Sequence, residues 1–261
     1  MAAAQPIRLY CFAHAGAGVS AFHGWAARVG PGVVPVPVLL PGRDRRRREP
    51  RVTTREALLD DVMRLFGGAP TAPFVLYGHS LGALVAYTVA RALHEAGRPG
   101  PALLAVGACP PPHLPPAPAY ALGVPDAELL RTLDLLGVVP PGTPGTEPGG
   151  IWDRAVRPVL RDDLALARAL RTAACTPSPA DPLTTPLLVV AADDDPMASP
   201  AVAEGWSRWS EGPMRLRTVS GGHFFVRGPE LPRLLGQACR TLRRPARPTP
   251  RAARRVTNTG N

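Results

Sequence analysis

Short apolar runs alternate with amphipathic segments along most of this 261-residue chain. The apolar runs predict six strands, at residues 7–12, 33–40, 74–77, 102–108, 187–191 and 216–219. The amphipathic segments predict helices at 21–29, 54–66, 81–96, 200–209 and 229–243, and a capping box at Thr53 and Glu56 opens the second of them. Several strands are apolar throughout, as expected when helices cover both faces of a sheet. This order predicts an α/β fold with a mostly parallel central sheet, in which Pro35 and Pro37 place the second strand at an edge.

Residues 110–186 interrupt the alternation. They contain Pro-rich stretches at 110–118 and 139–150 and helical periodicity at 126–136, 152–160 and 163–171. A helical insertion between two core strands is typical of a lid, although it equally suits a helical layer without a gating role. We therefore divide the chain into a core of residues 1–109 and 187–243, a lid insertion at 110–186, and a basic tail at 244–261 that we expect to be disordered.

The net charge of +10 comes mostly from one end of the chain. All 30 basic residues are arginine, and seven of them lie in residues 240–261, which contain no acidic residue. We interpret this segment as a solvated end and predict no nucleic-acid partner. No apolar run reaches the roughly 18 residues of a membrane span, so we expect no membrane-spanning helix. The first residues lack a positive segment followed by an apolar run, so we expect no secretory signal. Four cysteines without metal-binding spacing fit a cytoplasmic protein.

The sequence Gly78-His79-Ser80-Leu81-Gly82 carries the strongest chemical signal. It lies between a predicted strand and a predicted helix, which is the arrangement of a nucleophile elbow. The sharp turn requires small residues two positions on either side of the serine, and the two glycines meet that need. The helix N-terminus favours negative charge developing beside Ser80, and the backbone N–H of Leu81 is a predicted donor to that charge.

A serine nucleophile needs a general base and an acid that orients the base. On the α/β-hydrolase fold, the acid and then the histidine follow the serine along the chain. His223 is the only one of the six histidines that follows the candidate acids Asp193, Asp194 and Asp195. Adjacent carboxylates point in different directions and no histidine is near them in the sequence, so we predict no metal site. The spacing leaves open which of the three acids orients His223.

A second oxyanion donor is expected from the loop after an early strand. Residues 11–18 read Cys-Phe-Ala-His-Ala-Gly-Ala-Gly, and their small side chains allow the backbone to approach a ligand. The loop could instead bind a phosphate. However, Ala21 stands at the third glycine position of a dinucleotide-binding motif, and the chain has no lysine for a P-loop. We therefore predict no cofactor.

These motifs together resemble the type II thioesterases that accompany modular polyketide synthases and non-ribosomal peptide synthetases. The resemblance covers residues 7–243. Two further segments, 125–130 and 158–163, are similar to the lid helices of that family. The main matches are C-F-x-H-A-G at 11–16, L-P-G-R at 40–43, G-H-S-L-G-A at 78–83, an Asp-Pro pair at 195–196 and G-G-H-F-F at 221–225.

The resemblance implies an α/β-hydrolase fold with a helical lid. It implies hydrolysis of acyl groups from the phosphopantetheine arm of acyl or peptidyl carrier proteins, which removes aberrant or stalled groups through an acyl-serine intermediate. By this match Ser80 is the nucleophile, His223 the base and Asp195 the acid, and the backbone amides of Ala15 and Leu81 are the oxyanion donors. We expect a monomer that works in the cytoplasm.

Two other functions are compatible with the same residues. A small-molecule carboxylesterase would use the same three side chains, although the H-A-G-A-G loop differs from the H-G-G-G loop of lipases. A non-catalytic binding protein on this fold would have no need of Ser80, Asp195 and His223 together. The partner of the leading function is usually acidic, so a basic loop offers a contact surface, unless it is simply a solvated loop. This loop contains Arg43, Arg45, Arg46, Arg47, Arg48 and Arg51.

Overall fold

The computed structural model describes residues 5–67, 72–115, 150, 152–178 and 181–242. These residues form one sheet of six strands, in which all neighbouring pairs are parallel and the order is β2-β1-β3-β4-β5-β6. The predicted parallel sheet is confirmed, and the strand with Pro35 and Pro37 lies at its edge. The strands are β1 (Ile7–Phe12), β2 (Val33–Pro37), β3 (Phe74–His79), β4 (Leu103–Gly107), β5 (Leu187–Ala192) and β6 (Met214–Val219).

The α-helices of the described residues are α1 (Arg55–Val62), α2 (Leu81–Glu95), α3 (Arg157–Cys175), α4 (Pro200–Ala203) and α5 (Glu230–Leu242). Shorter 3-10 segments extend α1 through Met63–Phe66 and α4 through Glu204–Trp209. A π-helical turn, Trp152–Val156, precedes α3. No helix in these ranges combines the length and the apolar character needed to cross a membrane.

Helices cover both faces of the sheet, as predicted. Successive side chains of a strand point to opposite faces, so each strand contributes to two separate cores. On β3, Phe74 and Leu76 pack with apolar residues of α1, α2 and α3. Val75 and Tyr77 pack on the opposite face with apolar residues of α5. The carboxyl ends of the parallel strands therefore meet at one edge, where the loops that carry the candidate site residues lie.

The predicted helix at 21–29 is wrong. Phe22, Trp25 and Val29 are buried and have helical spacing, but the segment forms a 3-10 turn, Val19–Phe22, followed by irregular turns. Gly24 has a φ of +74°, which lies outside the right-handed helical region and interrupts a regular helix between the two aromatic residues. The periodicity identified the buried face of this segment but not its conformation.

Two further helix predictions need correction. The N-cap of α1 is Thr54, whose side chain accepts from the backbone N of Ala57 at 3.2 Å, so the capping box at Thr53 is wrong by one residue. The predicted helices at 152–160 and 163–171 are replaced by the π-helical turn and the single helix α3. Pro158 lies in the first turn of α3, where proline is tolerated, and no later Gly or Pro interrupts it. The predicted helix at 126–136 and the tail at 244–261 lie outside the described residues.

Candidate active site

Ser80 lies in a sharp turn between β3 and α2. Its backbone has φ 55° and ψ −117°, a strained conformation that residues other than glycine rarely adopt. The turn brings backbone segments unusually close together. A Cβ atom at Gly78 would stand 1.8 Å from the carbonyl oxygen of Gly82, and one at Gly82 would stand 2.0 Å from the carbonyl oxygen of Phe12. The close approach explains why the positions two residues before and two residues after Ser80 need glycine.

Ser80, His223 and Asp195 form a continuous hydrogen-bonded series. Oγ of Ser80 lies 3.2 Å from Nε2 of His223, and Nδ1 of His223 lies 3.0 Å from Oδ2 of Asp195. All three residues are buried. When Nδ1 donates to the carboxylate, Nε2 is left as an acceptor for the serine hydroxyl. A histidine held in this tautomer can take the proton of Ser80, and the carboxylate then stabilises the imidazolium.

Asp195 is the one of the three consecutive acids that contacts His223. Asp193 and Asp194 are exposed, and their backbone N–H groups donate to the end of β6 and the loop after it. Oδ1 of Asp195 also accepts from the backbone N of Met197 at 2.9 Å, which fixes the carboxylate. The geometry thus favours Asp195, the acid that the family resemblance implies, over the two neighbours that the spacing left open. Among the described residues, no group of three or more His, Cys, Asp or Glu side chains could hold a metal ion.

His79, directly before the serine, is bonded to the loop that carries His223. Its Nε2 donates to the backbone oxygen of His223 at 2.8 Å, and its Nδ1 accepts from Oη of Tyr77 at 2.8 Å. Burial lowers the pKa of His79 well below its ordinary value, so the ring is neutral. His79 was not among the predicted site residues, and this contact was not predicted. Its place at the end of an apolar strand was the available signal, because a buried polar residue needs partners.

The loop after β1 forms a tight turn beside the elbow. The backbone N of Ala17 donates to the oxygen of His14 at 3.1 Å, and Gly16 has a φ of +77°. This is the pattern of a type II turn with glycine in its third position. Ala15, one predicted oxyanion donor, occupies the second position. Leu81, the other, is the first residue of α2, where amides have no partner within the helix.

A buried ion pair lies against the same turn. The guanidinium of Arg43 donates to both carboxylate oxygens of Asp163, at 2.6 and 3.1 Å. Oδ2 of Asp163 also accepts from the backbone N of Gly16 at 2.7 Å, and Nη1 of Arg43 donates to the oxygen of Ala17 at 2.8 Å. Burial raises the pKa of the Asp163 carboxyl, and Arg43 opposes that shift. Both residues lie in matched motifs, yet neither was predicted as part of the active site, and Arg43 was predicted only as part of the basic contact loop.

His14 forms part of the wall behind the site. Its ring packs edge-to-face against Phe224 and His79, with centroid separations of 4.9 and 5.9 Å. The ring is buried, and its Nδ1 has no hydrogen-bond partner among the described residues. Burial, together with the charge of Arg227, lowers the pKa of His14 to about 3. His14 is therefore neutral near pH 7 and contributes mainly packing.

The predicted basic loop is only partly available to a partner. Arg43 is buried, Arg46 binds two acidic side chains at 2.5 and 2.6 Å, and Arg51 pairs with Asp162 at 2.5 Å. Arginines that already have an intramolecular partner are poorly placed to recruit another. The remaining arginines of the loop are exposed and form no ion pair with a described residue: Arg45, Arg47 and Arg48.

A parallel sheet with a strained serine after its third strand, and an acid and a histidine after its last two, is the arrangement of the α/β-hydrolase superfamily. Residues 7–241 match the family model of the thioesterase domain, and the chain belongs to that family. It is therefore a thioesterase by class, as the sequence motifs predicted.

Individual relatives narrow the class further. The RedJ thioesterase of the prodiginine pathway in Streptomyces coelicolor is 35% identical, with a TM-score of 0.76 over 90% of this chain and 91% of that chain. The type II thioesterase BorB from the borrelidin biosynthetic cluster is 27% identical, with a TM-score of 0.71 over 92% of this chain and 93% of that chain. The predicted resemblance to type II thioesterases is confirmed.

A curated relative shows the same similarity in sequence. The "Probable cadicidin biosynthesis thioesterase" of Streptomyces griseus is 34% identical over 231 residues, which are 86% of this chain. The matched part spans 60% of that relative's length.

Proposed function

We propose that this member of the thioesterase family hydrolyses acyl thioesters on the phosphopantetheine arm of acyl or peptidyl carrier proteins, and so removes aberrant or stalled acyl groups. The carrying observation is the buried series of Ser80, His223 and Asp195, with separations of 3.2 and 3.0 Å. The relatives support the setting, since they are named as thioesterases of biosynthetic pathways.

In the acylation half-reaction, Oγ of Ser80 attacks the thioester carbonyl carbon while its proton passes to Nε2 of His223. The negative charge that develops on the carbonyl oxygen is held by the N–H groups of Ala15 and Leu81. The carbon–sulfur bond then breaks, and the departing thiol of the phosphopantetheine arm takes the proton from His223. The products are the free carrier arm and an acyl ester on Ser80.

In the deacylation half-reaction, water attacks the acyl ester and gives a proton to Nε2 of His223. The bond between the acyl carbon and Oγ of Ser80 breaks, and the serine recovers its proton from His223. Asp195 accepts from Nδ1 of His223 throughout and keeps the ring in the productive tautomer. The net result is a carboxylic acid and a regenerated serine.

We propose that the carrier protein approaches the exposed arginines of the 43–51 loop. An acidic carrier would be steered by a basic surface, and three arginines of this loop are exposed and form no ion pair with the residues that the structure describes. The division into a core, a lid insertion at 110–186 and a tail remains part of this proposal. We further propose that the protein acts as a monomer in the cytoplasm, where its four free cysteines would stay reduced.

The test compares one acyl group in two forms, a carrier-bound thioester and a free oxygen ester, each assayed with the wild type and with Ser80→Ala. We expect faster turnover of the carrier thioester and its loss in the variant. Fluorophosphonate labelling of the wild type, absent in Ser80→Ala, checks that the serine is the nucleophile. Asp195→Asn should lower kcat by about 10⁴-fold, because the asparagine amide can donate to Nδ1 of His223 and so favour the wrong tautomer of the imidazole.

Each alternative predicts a different result. Equal or faster turnover of the free ester would favour a general carboxylesterase over the carrier-directed enzyme. No labelling of Ser80 and no turnover of either form by folded wild-type protein would favour a binding protein.

The carrier surface has its own experiment. Reversing the charge of Arg47 and Arg48 to glutamate should weaken carrier binding and flatten its dependence on salt, because two favourable long-range contacts become repulsive. Turnover of a small free thioester should stay unchanged in the same variant. Unaltered carrier affinity at low salt would exclude this surface.

A further inference from the structure

The ion pair between Arg43 and Asp163 lies where charges are costly. Asp163 is 1% exposed and Arg43 is 9% exposed. Two charges taken out of water lose solvation that their mutual attraction often fails to return, and an apolar pair of similar volume frequently stabilises a fold as well. The rest of the buried face of α3 consists of leucine and alanine, so Asp163 is its exception. Stability alone therefore does not account for charged residues at these positions.

The pair holds backbone groups of the turn after β1. Asp163 accepts from the N–H of Gly16 at 2.7 Å, and Arg43 donates to the oxygen of Ala17 at 2.8 Å. The N–H of Gly16 belongs to the central peptide of the turn, which is the unit that flips when a type II turn becomes a type I turn. A carboxylate that accepts from this group opposes the flip. It thereby restrains Ala15, whose own N–H is the proposed oxyanion donor.

The same pair joins the turn to the insertion. Asp163 is a residue of α3, and one methyl carbon of Leu160 in this helix lies 3.8 Å from where a Cβ of Gly16 would stand. The far end of α3 is fixed to the core, because the guanidinium of Arg91 donates to the carbonyl oxygen of Ala173 at 2.7 Å. Helix α3 therefore reaches from a fixed point on α2 to the turn.

We propose that Arg43 and Asp163 are positioning residues of the thioesterase reaction, which set the orientation of the turn that carries the Ala15 donor and make it depend on α3 being seated. Neither side chain touches the reacting atoms; both act through the backbone of Gly16 and Ala17. The inference rests on the proposed function, because it assumes that Ala15 stabilises an oxyanion formed on a Ser80 adduct.

The test uses Asp163→Asn, which keeps the shape of the side chain but weakens the fork to Arg43 and the acceptor for Gly16. Its matched control is Asp162→Asn, on the same helix. Asp162 pairs with Arg51 at 2.5 Å, at the surface, and forms no hydrogen bond with the described residues of the turn. A second variant, Arg43→Lys, keeps the charge and loses the two-pronged geometry. All three are assayed with a small free acyl thioester and compared by thermal unfolding.

The decisive measurement is the affinity for two unreactive ligands with one acyl chain. Oγ of Ser80 adds to the carbonyl carbon of a trifluoromethyl ketone, and the resulting hemiketal oxyanion lies between the proposed donors. The corresponding thioether binds without forming an oxyanion. Asp163→Asn should lower kcat and ketone affinity by the same factor, at least about tenfold, because a misplaced donor is ineffective. The thioether affinity and the KM of Asp163→Asn should equal those of the wild type. For Asp162→Asn, kcat and both affinities should stay within about twofold of the wild-type values.

Other outcomes overturn the proposal. Full kcat in a folded Asp163→Asn protein would show that the turn holds its shape without the pair. Parallel losses of thioether and ketone affinity would indicate a purely structural role. If Asp163→Asn fails to fold, the test uses Arg43→Lys, which should lose ketone affinity but keep thioether affinity. Failure of the proposed function is distinguishable, because the wild type itself would then show no Ser80-dependent thioester turnover or ketone adduct.

Discussion

Nε2 of His79 lies 2.8 Å from the backbone oxygen of His223, so the residue before the proposed nucleophile is hydrogen-bonded directly to the residue proposed as its base. Because His79 is buried and neutral, this bond forms away from competing water. It joins the elbow after β3 to the loop after β6. The hydrogen bond from His79 thus helps to fix the distance between Ser80 and His223, independently of the bond between His223 and Asp195.

Replacing His79 with leucine should therefore slow catalysis while leaving substrate binding nearly unchanged, because His79 is proposed to act through the backbone of His223. We expect kcat to fall by about tenfold or more, because the loop that carries His223 loses its anchor. We expect KM to change by less than about threefold. Steady-state kinetics on a free thioester measure both. Tyr77→Phe is the matched control, since it removes the neighbouring bond to His79 and leaves the donation to His223 intact; an equal loss in both variants would contradict this account.

Acid should destabilise the fold through His14. Its pKa is about 3 in the folded protein and about 6.5 when unfolded, so the unfolded chain binds a proton in this interval that the folded chain does not. The free energy of unfolding should fall as pH drops from 6.5 towards 3, by up to about 1.4 kcal/mol per pH unit for this proton. His79, whose pKa is also lowered, acts in the same direction.

The variant His14→Phe separates the two histidines. Phenylalanine keeps a ring against Phe224 and cannot take up a proton, so urea unfolding at several pH values should show a slope smaller by one proton. An unchanged slope would mean that His14 is protonated in the folded state across this range.

Glycine at position 82 should be irreplaceable. A Cβ there would lie 2.0 Å from the carbonyl oxygen of Phe12, so Gly82→Ala must push β1 away from the elbow. We expect a loss of at least about 2 kcal/mol in the free energy of unfolding, measured by urea. Gly100→Ala is the control, because its Cβ would meet nothing closer than 3.7 Å. A Gly82→Ala protein as stable as this control would contradict the geometry.

Cys175 should be the one thiol that reacts quickly in the native state. Cys11, Cys109 and Cys239 are buried, and burial raises the pKa of each thiol, to about 12 for the latter two. Cys175 is exposed. Because the thiolate is the reactive form, Ellman's reagent should release one fast equivalent per chain and none from Cys175→Ser. Two or more fast equivalents from native protein would show that a buried thiol is accessible.

The sheet was predictable because each strand has a local sequence signal. Apolar runs indicated all six strands, and Pro35 and Pro37 indicated which one lies at the edge. Local periodicity was insufficient at 21–29, where the backbone of Gly24 takes a conformation that no hydrophobic pattern encodes. The joining of two predicted helices into α3 was hidden in a similar way, since Asp163 breaks the apolar pattern on a face that is nevertheless buried.

The site was predictable as far as chain order reaches. The elbow motif predicted Ser80, and chain order with elimination predicted His223. Three adjacent acids have the same local character, so the choice of Asp195 came from the family resemblance. The structure places its carboxylate 3.0 Å from Nδ1 of His223. His79 and Asp163 were missed because their partners are far away in the sequence. The bond from Gly16 to Asp163, for example, spans 147 residues. No spacing rule within one segment indicates such a contact.

The long sequence separations in the site have a consequence for how activity arises during folding. The turn after β1, the elbow after β3 and the loops after β5 and β6 must all be in place before Ser80 and His223, 143 residues apart, can meet. Contacts of such range form late and together, because loop closure opposes them until the sheet is complete. A nascent chain or folding intermediate would consequently have no hydrolytic activity. The time at which turnover appears would report when the last strand joins the sheet.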